Sequence, residues 1–389
     1  MLNFSCLSNP YEGDFVNLSK SISDAFVWNT IQKEALKQPE YFPNLQHTKT
    51  GSDIIGMRPE MGPLRLAQMK NELKDLSDEW YTSQLAIVAY LSGLMTSLNI
   101  CCDASLKPLT LCGKNYYGKE VKITSNLSNE IIVAIDGECT DTLIAKKLDN
   151  QSIVWVNSNA QKSFINLGSL KSAPLVKAVW LKDWNYGEEP AYCDDSTHEI
   201  LVERVEHGYR FLESHFPEFY LWSIALIHEI IPMDHTKNKG IKSQSYAFWP
   251  NQIHLKGHNN LLLILDVIIH ENSHMYFNIV ELTTPLFISK TPEIYSPLKK
   301  VKRPMKMVLL AFHALGNILL LYKKIYQKNL YSDQALLTHY IKHNDHLVKS
   351  LWEQLERYKD EYFTLAGHQI YQPLCDQLTS MGVDLNEYN

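Results

Sequence analysis

The segment "LDVIIHENSHMYFNIVE", residues 265–281, constrains the fold of this chain more than any other stretch. It reads as a helix that is apolar around nearly its whole circumference, and a helix of that kind belongs inside a packed unit. Polar residues interrupt it at intervals of four: Asp266, His270, His274 and Asn278. Residues four apart lie nearly above one another on a helix, so these form one line along it. Polar groups in such surroundings need partners. Within the line, His270, Glu271 and His274 complete the pattern H-E-x-x-H, which lets two imidazoles share one divalent ion. Asp266 is spaced to orient His270 from one turn away, as carboxylates commonly do for metal-bound histidines. The plain alternative is a buried, hydrogen-bonded seam without metal, because the pattern also arises by chance in a chain with 15 histidines.

Around this segment the texture of the chain changes twice. Apolar residues recur at spacings of three and four over 64–99, which predicts one long helix or two joined helices. Short β-branched runs follow, "KEVKIT", "NEIIVAID", "QSIVWVNS" and "LVKAVWL", separated by turn residues, and these predict a small antiparallel sheet. The helical period returns over 197–232 and ends at Pro232, after which a polar stretch leads to the motif helix. Two further long helices are expected in "MKMVLLAFHALGNILLLYKKIYQ" and beyond residue 333. The expected class is α+β, predominantly helical with a small antiparallel β-rich region in the middle. Three consecutive segments are expected: a helical region over 1–105, a β-rich region over 106–195, and a helical metal-binding region over 196–389.

Composition excludes some roles. Charged residues make up 21% of the 389 and the net charge is −6, whereas a general binder of nucleic-acid phosphates needs a basic face. Nucleic acid is therefore not an expected partner. The N-terminus lacks the basic and apolar regions of a secretory signal, and no uncharged apolar run reaches the ~18 residues that span a bilayer. A soluble cytoplasmic protein without a membrane partner is the expectation, and the oligomeric state stays open. Seven cysteines without a C-x-x-C pair indicate reduced thiols rather than a disulfide framework or a thiolate zinc site.

Two helix histidines do not complete a metal site. Glu281 lies two turns past His274, too far along the axis to share its ion. Glu293 is flanked by Pro292 and Pro297, which disfavour a helix there. His313, the one ionisable side chain in "VLLAFHALGNILLL", is the better candidate. Of the remaining histidines, His228 and His235 are separated by Pro232 and do not share a face, while His339, His343 and His346 sit among Lys and Asp as on a solvated helix face.

Residues 220–325 carry an ordered set of features: "IIP" at 230–232, "KSQSYAFWPNQIHL" at 242–255, the motif helix with "ELTTPL" after it, "YSPLKKVKRP" at 295–304, and "VLLAFHALGNILL". In this the chain resembles the H-E-x-x-H proteins that accompany ribosomally made, post-translationally modified peptides. The resemblance implies an iron(II)- and 2-oxoglutarate-dependent hydroxylase, using O₂, that oxidises the β-carbon of a residue in a precursor peptide. His270, Glu271 and His274 match the motif, His313 matches the downstream histidine, and Arg303-Pro304 match an Arg-Pro pair. Leu298-Lys299 stand where that pattern has Trp-Arg, and Asn272-Ser273 replace bulkier residues.

Such an oxygenase uses three protein ligands and leaves three positions open, two for 2-oxoglutarate and one for O₂. The expected ligands are His270, His274 and His313, with Arg303 as the cationic fork for the distal carboxylate of 2-oxoglutarate. A zinc peptidase is the first alternative, with Glu271 as general base toward a metal-bound water. A peptide-binding module with a vestigial motif, holding a leader peptide at a sheet edge, is the second.

Overall fold

The computed structural model describes residues 2–45, 58–72, 76–126, 130–147, 153–157, 164–169, 171–174, 195–233, 243–256, 258–288 and 290–385. In chain order the elements begin with helices α1 (Phe15–Ala35), α2 (Gly62–Met69) and α3 (Asp78–Leu91). Strands β1 (Asn99–Cys102), β2 (Leu109–Leu111), β3 (Lys114–Tyr116), β4 (Val121–Ser125), β5 (Glu130–Ile135), β6 (Glu138–Lys147), β7 (Ile153–Asn157), β8 (Phe164–Asn166) and β9 (Ser172–Pro174) follow. Next come α4 (Asp195–His215), α5 (Pro217–Ile224), β10 (Glu229–Met233), β11 (Ser243–Tyr246), β12 (Trp249–Lys256) and α6 (Leu261–Val280). The chain closes with β13 (Glu293–Ser296), β14 (Val301–Pro304), α7 (Met305–Gln327), α8 (Gln334–Glu356), α9 (Lys359–Tyr362) and α10 (Leu365–Ser380). Helices dominate and the strands form small, mainly antiparallel sheets, so the class is α+β.

These elements form two discontinuous units, where the sequence reading expects three consecutive segments. One holds Met1–Ile22, Arg210–Leu226 and His258–Asn389; the other holds Ser23–Tyr209 and Ile227–Gly257. In the second, the five-stranded sheet runs β1-β4-β5-β6-β7 with every pair antiparallel. The turn between β5 and β6 is Asp136-Gly137, with φ of 50° and 87°. Asp-Gly tolerates the left-handed backbone of a tight hairpin whose twist matches its strands. The expected runs at 119–124, 129–136 and 151–158 correspond to β4, β5 and β7. "LVKAVWL" at 175–181 lies outside the described residues.

The expected helix over 197–232 is corrected. It ends at His215, a short second helix ends at Ile224, and "EIIPM" is strand β10. All five residues of β10 are buried, and among the described residues β10 pairs only with β12, in parallel, in a sheet ordered β10-β12-β11. An edge strand leaves one side of its backbone unpaired, which is where a proline without an N–H is tolerated.

The motif helix lies in the first unit, antiparallel to α7. Tyr322 Oη donates to Leu262 O at 2.9 Å, His313 Nδ1 lies 3.1 Å from Ser273 O, and Lys306 pairs with Glu281 at 2.5 Å, which fixes the register. α6 starts where Asn260 accepts from Leu262 N, at 2.8 Å, the side-chain cap that satisfies an otherwise orphaned helix donor. Leu265, Ile268, Phe277 and Val280 are fully buried, each such burial stabilising by about 1.5–3 kcal/mol. Gly316 lets α10 approach α7, because a Cβ there would stand 2.9 Å from Leu374 Cδ2. By length and composition α7 could cross a bilayer, a feature the sequence reading does not pick out. Most of it is buried inside the protein, as a core helix is.

Candidate metal centre

Between Ile264 and Val280, every residue of α6 is buried except Asp266, His270, His274 and Asn278. The four-residue spacing therefore becomes a single partly accessible polar line on a helix otherwise enclosed by protein. In its middle, His270 Nε2 and His274 Nε2 face each other at 2.9 Å, with their ring planes at 82°. Two nitrogens 2.9 Å apart subtend about 90° at an ion roughly 2.05 Å from each, a normal metal–imidazole distance. The same spacing suits an N–H···N hydrogen bond, so the pair is complementary to a divalent ion and stable without one.

Electrostatics keep His274 in its ligating form. Burial, and then the neighbouring His270 and His313, push the His274 imidazole well below its ordinary pKa. His274 is therefore neutral near pH 7, and a metal ligand must be. Its Nδ1 has no hydrogen-bond partner among the described residues.

The interior of the motif faces the other way. Glu271 is 2% exposed, and Asn272 and Ser273 are fully buried. Asn272 Nδ2 donates to Ile268 O and Ser273 Oγ to Ile269 O, each at 2.8 Å. These small side chains close bonds to the preceding turn of their own helix, which accounts for small polar residues inside the motif. Asp266 lies beside the buried hydroxyl of Tyr322, which burial pushes above its ordinary pKa and the Asp266 charge raises further. Asn278 marks the far end of the line.

His313 is placed differently from expectation. Its Nδ1 lies 3.1 Å from Ser273 O and its Nε2 2.7 Å from Ser8 O, so both nitrogens face main-chain carbonyls. Asn317 Nδ2 also donates to Ser8 O, at 3.1 Å. In this arrangement His313 ties the N-terminal segment to the turn of α6 that carries His274, and neither nitrogen is offered to an ion. Among the described residues, no third Asp, Glu, His or Cys converges on the pair. The residues present fit two ligand positions of a metal and leave its third protein ligand unassigned.

Arg303 is half-buried on β14, opposite Ile294, with no carboxylate paired to it among the described residues. The α6–α7 register sets His274 level with about residue 312. Met305, the first residue of α7, is seven residues further along, about 10.5 Å at 1.5 Å of rise per residue, and Arg303 precedes it on β14, beyond the Lys306–Glu281 pair. The structure does not bring Arg303 against the histidines. Glu293 stands on strand β13, and His339, His343 and His346 are exposed on α8. His228 is pushed well below its ordinary pKa by burial and by nearby Lys171 and Arg58, and His235 is outside the described residues.

Two features were not singled out from the sequence. Tyr276, two residues past His274, stacks on Trp222 at 4.5 Å and donates its hydroxyl to Trp222 O. The other unit contains a buried polar chain. There Arg58 Nε pairs with Glu60 at 3.1 Å, Gln252 Nε2 donates to Glu229 at 2.9 Å, and Gln252 Oε1 meets His254 Nε2 at 3.2 Å. Both would have required knowing which distant segments meet. No family model matches this chain, and no curated protein matches it.

Proposed function

We propose that this protein is an iron(II)- and 2-oxoglutarate-dependent hydroxylase of a ribosomally made peptide, with His270 and His274 as two of its metal ligands. The observation that carries the metal reading is the Nε2 pair at 2.9 Å on the accessible line of an otherwise buried helix. The oxygenase chemistry comes from the resemblance of residues 220–325, above all the ordered segments around the motif. Iron(II) with 2-oxoglutarate and O₂ supplies conversion of a C–H bond to C–OH, the oxoacid leaving as succinate and carbon dioxide. The chain's own share is to hold two imidazoles at about a right angle, and to enclose them except along one face where a peptide can approach. Arg303, with no carboxylate paired to it among the described residues, remains the proposed partner for the distal carboxylate of 2-oxoglutarate.

Zinc peptidase chemistry is the second reading, and the position of Glu271 weighs against it. A general base must reach water in the open coordination position, and Glu271 is 2% exposed, off the accessible line. The peptide-binding module remains the third reading, with a sheet edge as its binding surface.

Intact-mass analysis of a candidate peptide tests the three together. Protein loaded with iron(II) without oxygen is exposed to air with and without 2-oxoglutarate. A gain of one oxygen that requires the oxoacid supports the hydroxylase. Cleavage with zinc and no oxoacid overturns it for the peptidase, and peptide binding with no covalent change overturns it for the module.

A further inference from the structure

We propose that the β13–β14 hairpin is a docking surface for an extended acidic peptide segment. Four cations stand within five residues, Lys299, Lys300, Lys302 and Arg303, on a chain whose net charge is −6. The three lysines are exposed, and among the described residues no carboxylate pairs with any of the four. The adjoining Lys306, by contrast, is matched by Glu281. Large apolar side chains are interleaved with them: Tyr295 is 46% exposed, Leu298 39% and Val301 54%. Tyr295 lies directly opposite Lys302, so one face of the hairpin presents an aromatic ring beside a cation.

The backbone supplies a second, independent observation. Lys300 closes the turn by donating its N–H to Ser296 O at 2.7 Å, and its φ is 56°. That left-handed conformation favours glycine or asparagine, so a lysine there places charge at the tip against the backbone's preference. Among the described residues, β13 and β14 pair only with each other. Unpaired strand edges offer main-chain donors and acceptors to an added strand. An added strand with carboxylates at alternate positions would set them on the face that holds Lys302 and Tyr295, and its apolar residues on the opposite face beside Val301. Phosphate backbones and anionic bilayers are the weaker fits, because each calls for a broader basic face than four residues on an acidic protein.

This surface rests on the hydroxylase reading only for where the peptide comes from, and binding needs neither metal nor oxoacid. The test is fluorescence anisotropy, without metal, of a short labelled peptide in which Glu alternates with Val. The same peptide with Lys for Glu is the comparison, and phosphatidylserine-containing vesicles are assayed in parallel. The acidic peptide should bind and should weaken with added salt. The double change Lys299→Glu with Lys302→Glu should cost tenfold or more in affinity, on the order of two surface ion pairs turned into repulsions. Lys300→Gly, which relieves the left-handed backbone and so spares the fold, should cost about threefold. Equal binding of the two peptides, no effect of the lysine changes, or binding to vesicles but not to peptide overturns the proposal. Peptide that binds here but is never oxidised leaves this surface standing and removes the hydroxylase. Peptide oxidised with no dependence on these lysines does the reverse.

Discussion

Replacing His313 by Ala separates a strut from a ligand. The side chain makes two buried contacts, to Ser273 O at 3.1 Å and Ser8 O at 2.7 Å, and it is fully buried. The neutral imidazole carries one N–H and so donates to one of these two carbonyls; losing that hydrogen bond costs about 1 kcal/mol, and truncating a buried ring adds about 1–2 kcal/mol for the cavity. Ser8 O keeps Asn317 as a donor, which limits the penalty for stranding it. The expected loss is therefore about 2–3 kcal/mol of stability, read as a lowered urea midpoint by circular dichroism. Iron(II) affinity of the folded variant, measured without oxygen against a chromophoric chelator, should fall by less than about tenfold, the lower end for residues that support a ligand from outside. His274→Ala should show the opposite: abolished iron binding with a smaller loss of stability. An His313→Ala protein of normal stability that no longer binds iron would refute this reasoning and make His313 the third ligand.

Three further outcomes follow from burial. Burial holds His313 down at about 4 and His254 at about 3, so between those values and the ordinary imidazole range only the unfolded chain takes up protons. Their stabilising contribution is complete above about pH 6.5 and is lost as the pH falls, at no more than about 1.4 kcal/mol per pH unit for each group. Burial and the charge of Glu60 push Glu229 up to about 8, so its contribution runs the other way, complete below the ordinary carboxylate range and lost as the pH rises toward 8. Glu229→Gln should therefore exceed the parent protein in stability at pH 8 and not at pH 5; urea midpoints at both values check this, and equal differences would contradict it. Gly62→Ala should destabilise by about 1–3 kcal/mol, since a Cβ there would stand 2.5 Å from the ring of buried Trp249; an unchanged melting temperature would mean the ring shifts freely.

How much was legible in the sequence follows from what is local. The period of four that carries Asp266, His270, His274 and Asn278 is a property of one helix, so the polar line on α6 can be read without tertiary information. The Asp136-Gly137 turn is local in the same way. β10 was not legible, because "EIIPM" continues an apolar helical period and only its place at a sheet edge makes Pro232 acceptable. The role of His313 was not legible either. A histidine in an apolar run signals a partner without saying which, and the carbonyl it meets at Ser8 lies 305 residues away in the chain. The stacking of Tyr276 on Trp222 depends likewise on how α5 packs against α6.

The most direct test of the account is absorption spectroscopy of the iron(II)-loaded protein without oxygen, as 2-oxoglutarate is added. A chelated oxoacid gives iron(II) a visible charge-transfer band and requires no knowledge of the peptide. The account predicts that the band appears in the parent protein, is absent from His270→Ala and His274→Ala, and needs a higher 2-oxoglutarate concentration in Arg303→Ala. No band in the parent protein, or one that persists when either histidine is removed, would contradict it.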